Sequence, residues 1–318
     1  MLATVNSWAE QIRAGDIRAI SKAITAIEDE RPEAERLVRE LFPHTGGGVI
    51  IGVTGAPGTG KSTLVDRLAA RYRRSGQTVG IIAVDPTSPF SGGAVLGDRV
   101  RMQGHASDAD IFIRSMATRG SLGGLAEATA DAALVLDAAG KQVILIETVG
   151  VGQAEVDIVR LADCTLVVLV PGMGDDVQNL KAGVMEIADI FVLNKADHPA
   201  ADRFERQLLA MLEIVPERDG WRPPLVRTIA TEDKGTGELA GMIERFGSNA
   251  ELAGGRRSRR RIEHWEYRLL GLLRKRLMSR VSRHLEPGQI EAMAVAVAGR
   301  EKDPFTAIDE LLEKAELK

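Results

Sequence analysis

Eight consecutive residues, Gly55-Ala56-Pro57-Gly58-Thr59-Gly60-Lys61-Ser62, set between an apolar run and a helical one, leave this chain few folds to choose from. They match in full the glycine-rich loop that wraps phosphate groups. Its glycines let backbone N–H groups turn inward around phosphate oxygens, and the helix that follows adds its positive end. In that arrangement Lys61 reaches the β- and γ-phosphates, the Ser62 hydroxyl is placed to ligate Mg²⁺, and Thr63 follows in the first helical turn. Such a loop works only where a strand ends and a helix begins, so an α/β fold is expected. The neighbouring sequence agrees. Short β-branched and apolar runs at 49–54, 79–84, 111–115, 143–147, 165–170, 190–194 and 225–229 alternate with helical stretches. Near-continuous apolar strands of this kind indicate a mainly parallel sheet covered on both faces. The expected layout is a helical extension over 1–45, a P-loop NTPase domain over 46–250 and a helical arm over 251–318.

The flanks read as helices. Ser7 and Glu10 stand at capping-box spacing, and Ile17, Ile20, Ile24 and Ile27 recur at helical spacing. Pro32 punctuates before a further helix over 33–41, and Gly46, Gly47 and Gly48 mark a hinge. Past Gly254-Gly255, Ile262, Trp265, Leu269, Leu273, Leu277 and Val281 form one apolar stripe, ended by Pro287. A last helix is expected from Asp303-Pro304, with Phe305, Ile308, Leu311 and Leu312 on one face. A stripe this long needs a covering surface, and pairing with a second copy is preferred over packing onto its own domain. The basic run Arg256, Arg257, Arg259, Arg260, Arg261 lacks interleaved aromatics, so a solvated helix start is preferred over a nucleic-acid patch.

Composition removes other classes. With 318 residues, 44% hydrophobic and 27% charged, the chain can bury a real core without staples. A net charge of −4 gives no global pull toward nucleic acid. One cysteine, Cys164, cannot form an internal disulfide, and the five histidines are scattered rather than set at metal-ligand spacing. No apolar run approaches the ~20 residues that span a bilayer. A cytoplasmic protein is expected, with neither membrane nor nucleic acid as partner.

A second signature lies far downstream. Asn194-Lys195-Ala196-Asp197 follows the apolar run ending at Leu193. The Asp197 carboxylate can accept hydrogen bonds from guanine N1–H and its 2-amino group. Adenine lacks the N1–H and leaves that acceptor unmatched, at a cost of ~1–3 kcal/mol. Asn194 would brace the loop and the Lys195 stem would cover the base. Residues 228–231 could present a backbone N–H to guanine O6. Glu147-Thr148-Val149-Gly150 stands where G proteins carry Asp-x-x-Gly: Glu147 would act in the Mg²⁺ shell, and the Gly150 N–H would swing onto the γ-phosphate. Glu147 also reads as a plain strand-end carboxylate. Asp85, ending its strand, points toward the metal region. Asp98 reads equally as a metal contact and as the N-cap of a helix beginning at Arg99. Residues 171–178, with Gly172, Gly174, Asp175 and Asp176, read either as a movable loop or as a turn with an acidic cap.

Together these segments resemble one family. GVTGAPGTGKSTL, VDPTSPFSGGAVLGDRVRM, MATRGSLGGL, ETVGVGQAEVDI, PGMGDDVQNLKAG and NKAD are similar to the MeaB/ArgK GTPases across essentially the whole chain. The resemblance implies a SIMIBI-type G domain with an N-terminal helical extension and a C-terminal dimerisation arm. It implies that Asp85, Asp98 and Glu147 form the acidic Mg²⁺ and nucleotide site. Asp98 then belongs to switch I, residues 147–155 to switch II and 172–181 to a third switch loop, and Gln178 and Lys181 become relay or catalysis-tuning positions. It further implies a client, an adenosylcobalamin-dependent acyl-CoA mutase of the methylmalonyl-CoA type, whose cofactor loading the protein gates and which it protects or reactivates. An adenosyltransferase is the other implied partner.

The expected chemistry is GTP + water → GDP + phosphate, driven by positioning and charge stabilisation. The position after Glu-x-x-Gly is Val151 rather than a water-orienting glutamine, with Gln153 slightly beyond. Slow intrinsic turnover, raised by the client, is therefore expected. Two other classes compete. A kinase acting on transport-associated binding proteins is disfavoured by the guanine motif, and a nickel-delivery GTPase by the missing Cys/His cluster.

Overall fold

In the computed structural model, the residues described are 2–85, 103–105, 108–117, 124–148, 161–172, 187–214, 217, 220–249 and 257–315. The chain forms two compact units, Met1–Arg261 and Ile262–Lys318.

The first unit is built on a seven-stranded sheet. Its strands are β1 (Val49–Thr54), β2 (Val79–Asp85), β3 (Ile111–Ala117), β4 (Val143–Glu147), β5 (Cys164–Leu169), β6 (Ile190–Leu193) and β7 (Leu225–Arg227). They lie in the order β3-β2-β4-β1-β5-β6-β7, and every pairing is parallel. Each run expected from the sequence is a strand, with ends displaced by a residue or two. β6 stops before Asn194 because that side chain turns into hydrogen bonds between loops. Helices α1 (Leu2–Arg13), α2 (Ile17–Glu28), α3 (Pro32–Leu41), α4 (Lys61–Arg74), α5 (Gly124–Ala138), α6 (Ala201–Ile214) and α7 (Thr236–Ser248) cover it. Side-chain alternation in the strands splits the core. Ile82 and Val84 of β2 join the cluster shared by α1–α3 and α5, whereas Val79 and Ile81 face α4 and α7. A third cluster sets Phe191 and Leu193 against Phe204, Leu208 and Leu212 of α6.

Helices α1–α3 therefore share a core with the sheet. Arg114 on edge strand β3 adds a polar tie, donating to Thr25 Oγ1 at 3.0 Å and pairing with Glu28. Two expectations for this region are corrected. Ser7 is not a helix cap, since α1 already runs from Leu2; the cap belongs to Asp16, which accepts from the Ala19 N–H at 2.7 Å. Residues 46–48 are not a loose hinge. The Asp137 carboxylate gathers the N–H groups of Gly46, Gly47 and Gly48 at 2.5, 3.2 and 2.8 Å. The glycines allow the backbone to close on it: a Cβ on Gly48 would come within 2.7 Å of the Lys141 carbonyl oxygen.

A long helix, α8 (Arg257–His284), begins in the first unit and continues into the second. Its basic start is not simply solvated. Arg260 grips Asp189 with two bonds, 2.7 and 2.9 Å, and Arg261 lies 3.6 Å from Asp163. Asp189, just before β6, is 0% exposed and also accepts the Thr165 N–H at 2.8 Å. Removing one partner of a buried pair costs more than forming it gained, because a charge stays behind in low dielectric. Arg260→Met is therefore expected to destabilise the protein by about 2–4 kcal/mol in denaturant titrations, and Asp189→Asn added to it should restore part of the loss. Equal stability of parent and single variant would contradict this.

The second unit holds the remainder of α8 with α9 (Gln289–Ala298) and α10 (Pro304–Lys314). Asp303 caps α10 as expected, accepting the Phe305 and Thr306 N–H groups at 3.0 and 3.1 Å. α9 was not separately expected, because its apolar residues surround the helix and leave no periodic face. None of its residues is buried. Most of the apolar stripe of α8 is exposed, with Ile262 at 66%, Leu269 at 62% and Leu273 at 53%, whereas Trp265 is half-buried and Val281 buried. Among the described residues no helix is long and apolar enough to cross a membrane.

His264 stands edge-on to Trp265, ring centroids 5.5 Å apart. Burial, with Arg268 adding, pushes its pKa down to about 4. The unfolded value is about 6.5, so the unfolded chain takes up the proton first and stability falls as pH drops from about 6.5 toward 4. A His264→Gln variant should lose less stability over that window in pH-dependent melting. Parallel losses in parent and variant would rule His264 out as the source.

Candidate functional site

The site sits at the carboxyl ends of the central strands. Gly55 leaves β1 with φ 145°, and a Cβ there would come within 2.2 Å of the Val168 carbonyl oxygen on β5. Only glycine lets the loop start this close to its neighbour. Ala56, Pro57, Gly58 and Thr59 form the bend, with the Thr59 hydroxyl closing on the Ala56 carbonyl at 2.9 Å. Gly60, φ 89°, precedes α4, so the helix's amino end opens under the loop with Lys61 and Ser62 in its first turn and Thr63 next. Lys61 is buried, and its Nζ donates to the Gly55 and Ala56 carbonyls at 2.7 and 3.0 Å. The ammonium is thus held against the loop's own backbone.

Register brings the acidic residues to the same edge. Glu147 pairs with Val53 of β1 on one side and Ala83 of β2 on the other. Its buried carboxylate accepts the Ser62 hydroxyl at 2.7 Å across 85 residues of sequence. That contact sets the strand-end carboxylate against the first turn of the phosphate loop's own helix. Asp85 ends β2 two residues beyond Ala83, on the same carboxyl edge. Thr148 and Thr54, at the ends of β4 and β1, join hydroxyls at 3.1 Å. Asp98, Gly150, Gln178 and Lys181 lie outside the described residues, as do Val151 and Gln153.

The second loop meets the first directly. Asn194 donates from Nδ2 to the Thr59 carbonyl at 2.8 Å, and its Oδ1 accepts from the Thr228 hydroxyl and the Ala230 N–H at 3.1 and 3.2 Å. A Cβ on Gly60 would sit 2.5 Å from that Nδ2, so glycine is needed here for contact as well as conformation. Lys195 takes a left-handed φ of 53°, uncommon for a side-chain-bearing residue, and its Nζ reaches the Gly58 carbonyl at 2.9 Å. Its stem therefore reaches from this loop to the phosphate loop, and Asp197, two residues on, is exposed. The Thr228 and Ala230 N–H groups are engaged with β6 and Asn194, which narrows the amides left for a base.

Sequence reasoning missed Arg67, whose Nε donates to the Ala230 carbonyl at 3.2 Å and links α4 to the turn after β7. It also missed Glu232 and Lys234 in that turn. Gly235 was the available signal: φ 76°, with the Arg227 carbonyl oxygen 1.9 Å from any added Cβ, marks a tight reversal just past Lys234.

A phosphate loop at the end of the central strand, a buried carboxylate from β4 hydrogen-bonded to its helix, and an Asn-Lys-x-Asp loop bolted to it define a P-loop GTPase. The chain belongs to the family described as methylmalonyl Co-A mutase-associated GTPase MeaB, whose profile matches residues 20–286. It is 48% identical over 313 residues to a Pyrococcus abyssi protein whose name places it among the GTPases, covering 98% of this chain and 96% of that one. Escherichia coli GTPase ArgK is 34% identical, with 89% of this chain and 86% of that one covered. The mouse mitochondrial methylmalonic aciduria type A homolog is also 34% identical, over 68% of this chain and 54% of its own length. Among solved structures, a crystal structure of an LAO/AO transport system kinase is similar with a TM-score of 0.72 and 26% identity, covering 98% and 97% of the two chains.

Proposed function

We infer that this GTPase serves as a G-protein chaperone of an adenosylcobalamin-dependent acyl-CoA mutase of the methylmalonyl-CoA type, gating cofactor loading and protecting or reactivating the enzyme. The observation that carries this reading is the match over residues 20–286 to a family described by its association with that mutase. An adenosyltransferase is proposed as a second partner on the same ground.

In this reading the P-loop amides, Lys61 and the amino end of α4 bind the phosphates, while Asn194, Lys195 and Asp197 hold the guanine. The donor set at Ser62 and Glu147, a hydroxyl and a carboxylate at the phosphate end, suits Mg²⁺, which takes few protein oxygens and shares the phosphates. Asp85 and Asp98 are proposed to join that set. Bound there, Mg²⁺ would supply positive charge against the β- and γ-phosphate oxygens. Lys61 offsets the charge that builds on those oxygens as the bond to the γ-phosphate breaks. Glu147 orients the Ser62 hydroxyl. Gly150, Gln178 and Lys181 are proposed as nucleotide-sensing or tuning positions in the switches.

A homodimer through the arm is part of the proposal. The exposed stripe of α8 supports it, as does charge: Arg and Lys outnumber Asp and Glu ten to two in α8, whereas Glu301, Asp303, Asp309, Glu310 and Glu313 cluster in and before α10. A second copy can therefore offer complementary charge as well as apolar cover.

Pull-downs from native extract, run with GDP and with a non-hydrolysable GTP analogue, test the cellular role. A cobalamin-dependent mutase should be recovered in nucleotide-dependent yield, and the purified mutase should raise the GTPase rate. A mutase that neither binds nor stimulates the protein would defeat the chaperone reading. Recovery of a solute-binding protein that accepts the γ-phosphate would support a kinase instead.

A further inference from the structure

The loop that carries Asp197 has a charged neighbour with no part in the scheme above. Past β7 the chain doubles back, and Ile229 and Lys234 exchange backbone hydrogen bonds of 3.0 and 3.3 Å. This turn is pinned to the base loop three times. The Ala196 N–H donates to the Thr228 carbonyl at 3.1 Å, the Thr228 hydroxyl donates to Asn194 Oδ1 at 3.1 Å, and the Ala230 N–H donates to the same oxygen at 3.2 Å. Gly235 closes the turn where no Cβ fits, which fixes the placement of the residue before it. Lys234 consequently lies on a turn hydrogen-bonded to the loop that carries Asp197. Its ammonium is engaged by the Glu232 carboxylate at 2.6 Å, both side chains open to solvent. The lysine's pKa is raised by Glu232 first, and the Asp197 carboxylate adds to the effect, so the ammonium feels both acids.

We propose that Glu232 is a specificity-determining residue: it holds the Lys234 ammonium off the Asp197 carboxylate and so keeps that carboxylate open to guanine. The proposal rests on Asp197 being the guanine reader. The guanine N1–H and 2-amino group and the lysine ammonium compete for the same lone pairs. With Glu232 present, the ammonium has a nearer acceptor on its own turn. Without it, the pull of the Asp197 carboxylate on the ammonium is no longer opposed by an acid on the same turn, and guanine must compete with a cation for that carboxylate. Adenine gains nothing from a vacant carboxylate, so losing Glu232 also narrows the preference for guanine over adenine. The groups are exposed, so the effect is modest and weakens with salt.

Calorimetric titration of GDP and ADP into the full-length parent, Glu232→Gln, Lys234→Met and the double variant tests this. Glu232→Gln should weaken GDP about threefold to fivefold at low salt, with ADP unchanged and the difference shrinking at high salt. Lys234→Met alone should bind GDP at least as well as the parent, and the double variant should return to that level. Parent-like GDP affinity in Glu232→Gln, or a double variant as weak as Glu232→Gln, overturns the proposal. Asp197→Asn separates the two layers. If it leaves GDP affinity intact, the base-reading role of Asp197 fails. If it weakens GDP while Glu232→Gln does not, only the role of Glu232 fails.

Discussion

Lys61→Ala is expected to lower GTP turnover by about a hundredfold to a thousandfold, measured as phosphate release at saturating nucleotide. Lys61 is the buried cation at the loop's mouth, its ammonium already positioned by the Gly55 and Ala56 carbonyls. A preorganised charge helps most where charge grows during bond breaking. The loss should fall on kcat more than on nucleotide affinity, because the loop amides and the α4 terminus remain to bind the ground state. Thermal melting of the variant separates this from loop collapse, since Thr59 still holds the Ala56 carbonyl and is itself tied to Asn194. Turnover above a tenth of the parent's in a folded variant would remove Lys61 from the chemistry.

Asp197→Asn carries the second large effect. An ionised carboxylate accepting two N–H bonds from guanine contributes about 1.5–3 kcal/mol per bond, so the amide should weaken GDP by about a hundredfold or more. The substitution also changes what the pocket prefers. An asparagine offers an N–H donor where xanthine carries a carbonyl in place of guanine's 2-amino group, so xanthosine diphosphate should gain affinity as GDP loses it. That reciprocal shift is not a stability effect: Asp197 is exposed, and Asn194, not Asp197, braces the loop. Competition titrations with the two nucleotides read it directly, and loss of both, or of neither, would reject the assignment.

Much of this was legible in the chain. β1 and β4 follow the apolar runs at 49–54 and 143–147 residue for residue, because both are central strands buried on two faces and bounded by polar or glycine residues. Lys61, Ser62 and Asn194 could be named because the phosphate-loop and Asn-Lys-x-Asp patterns are local in sequence. What spacing could not give was contact. Ser62 meets Glu147, and Asn194 meets Thr59, only through parallel register across 85 and 135 residues. Arg260 looked like surface charge because its neighbours in sequence are arginines, while its acceptor, Asp189, sits buried before β6. The glycines at 46–48 looked loose because their anchor, Asp137, lies on α5. Glu232 and Lys234 gave no pattern at all; an ion pair two residues apart becomes informative only once the turn is set beside the base loop.

The central claim is that the phosphate loop and the base loop, joined by the Asn194–Thr59 and Lys195–Gly58 bonds, work as one pocket. The most direct measurement is the specificity constant for GTP against ATP on the purified full-length protein, with and without magnesium. GTP should be favoured by about tenfold to a hundredfold, reflecting the unmatched Asp197 acceptor when adenine binds, and turnover should need the metal. ATP used as efficiently as GTP, or hydrolysis indifferent to magnesium, would contradict it.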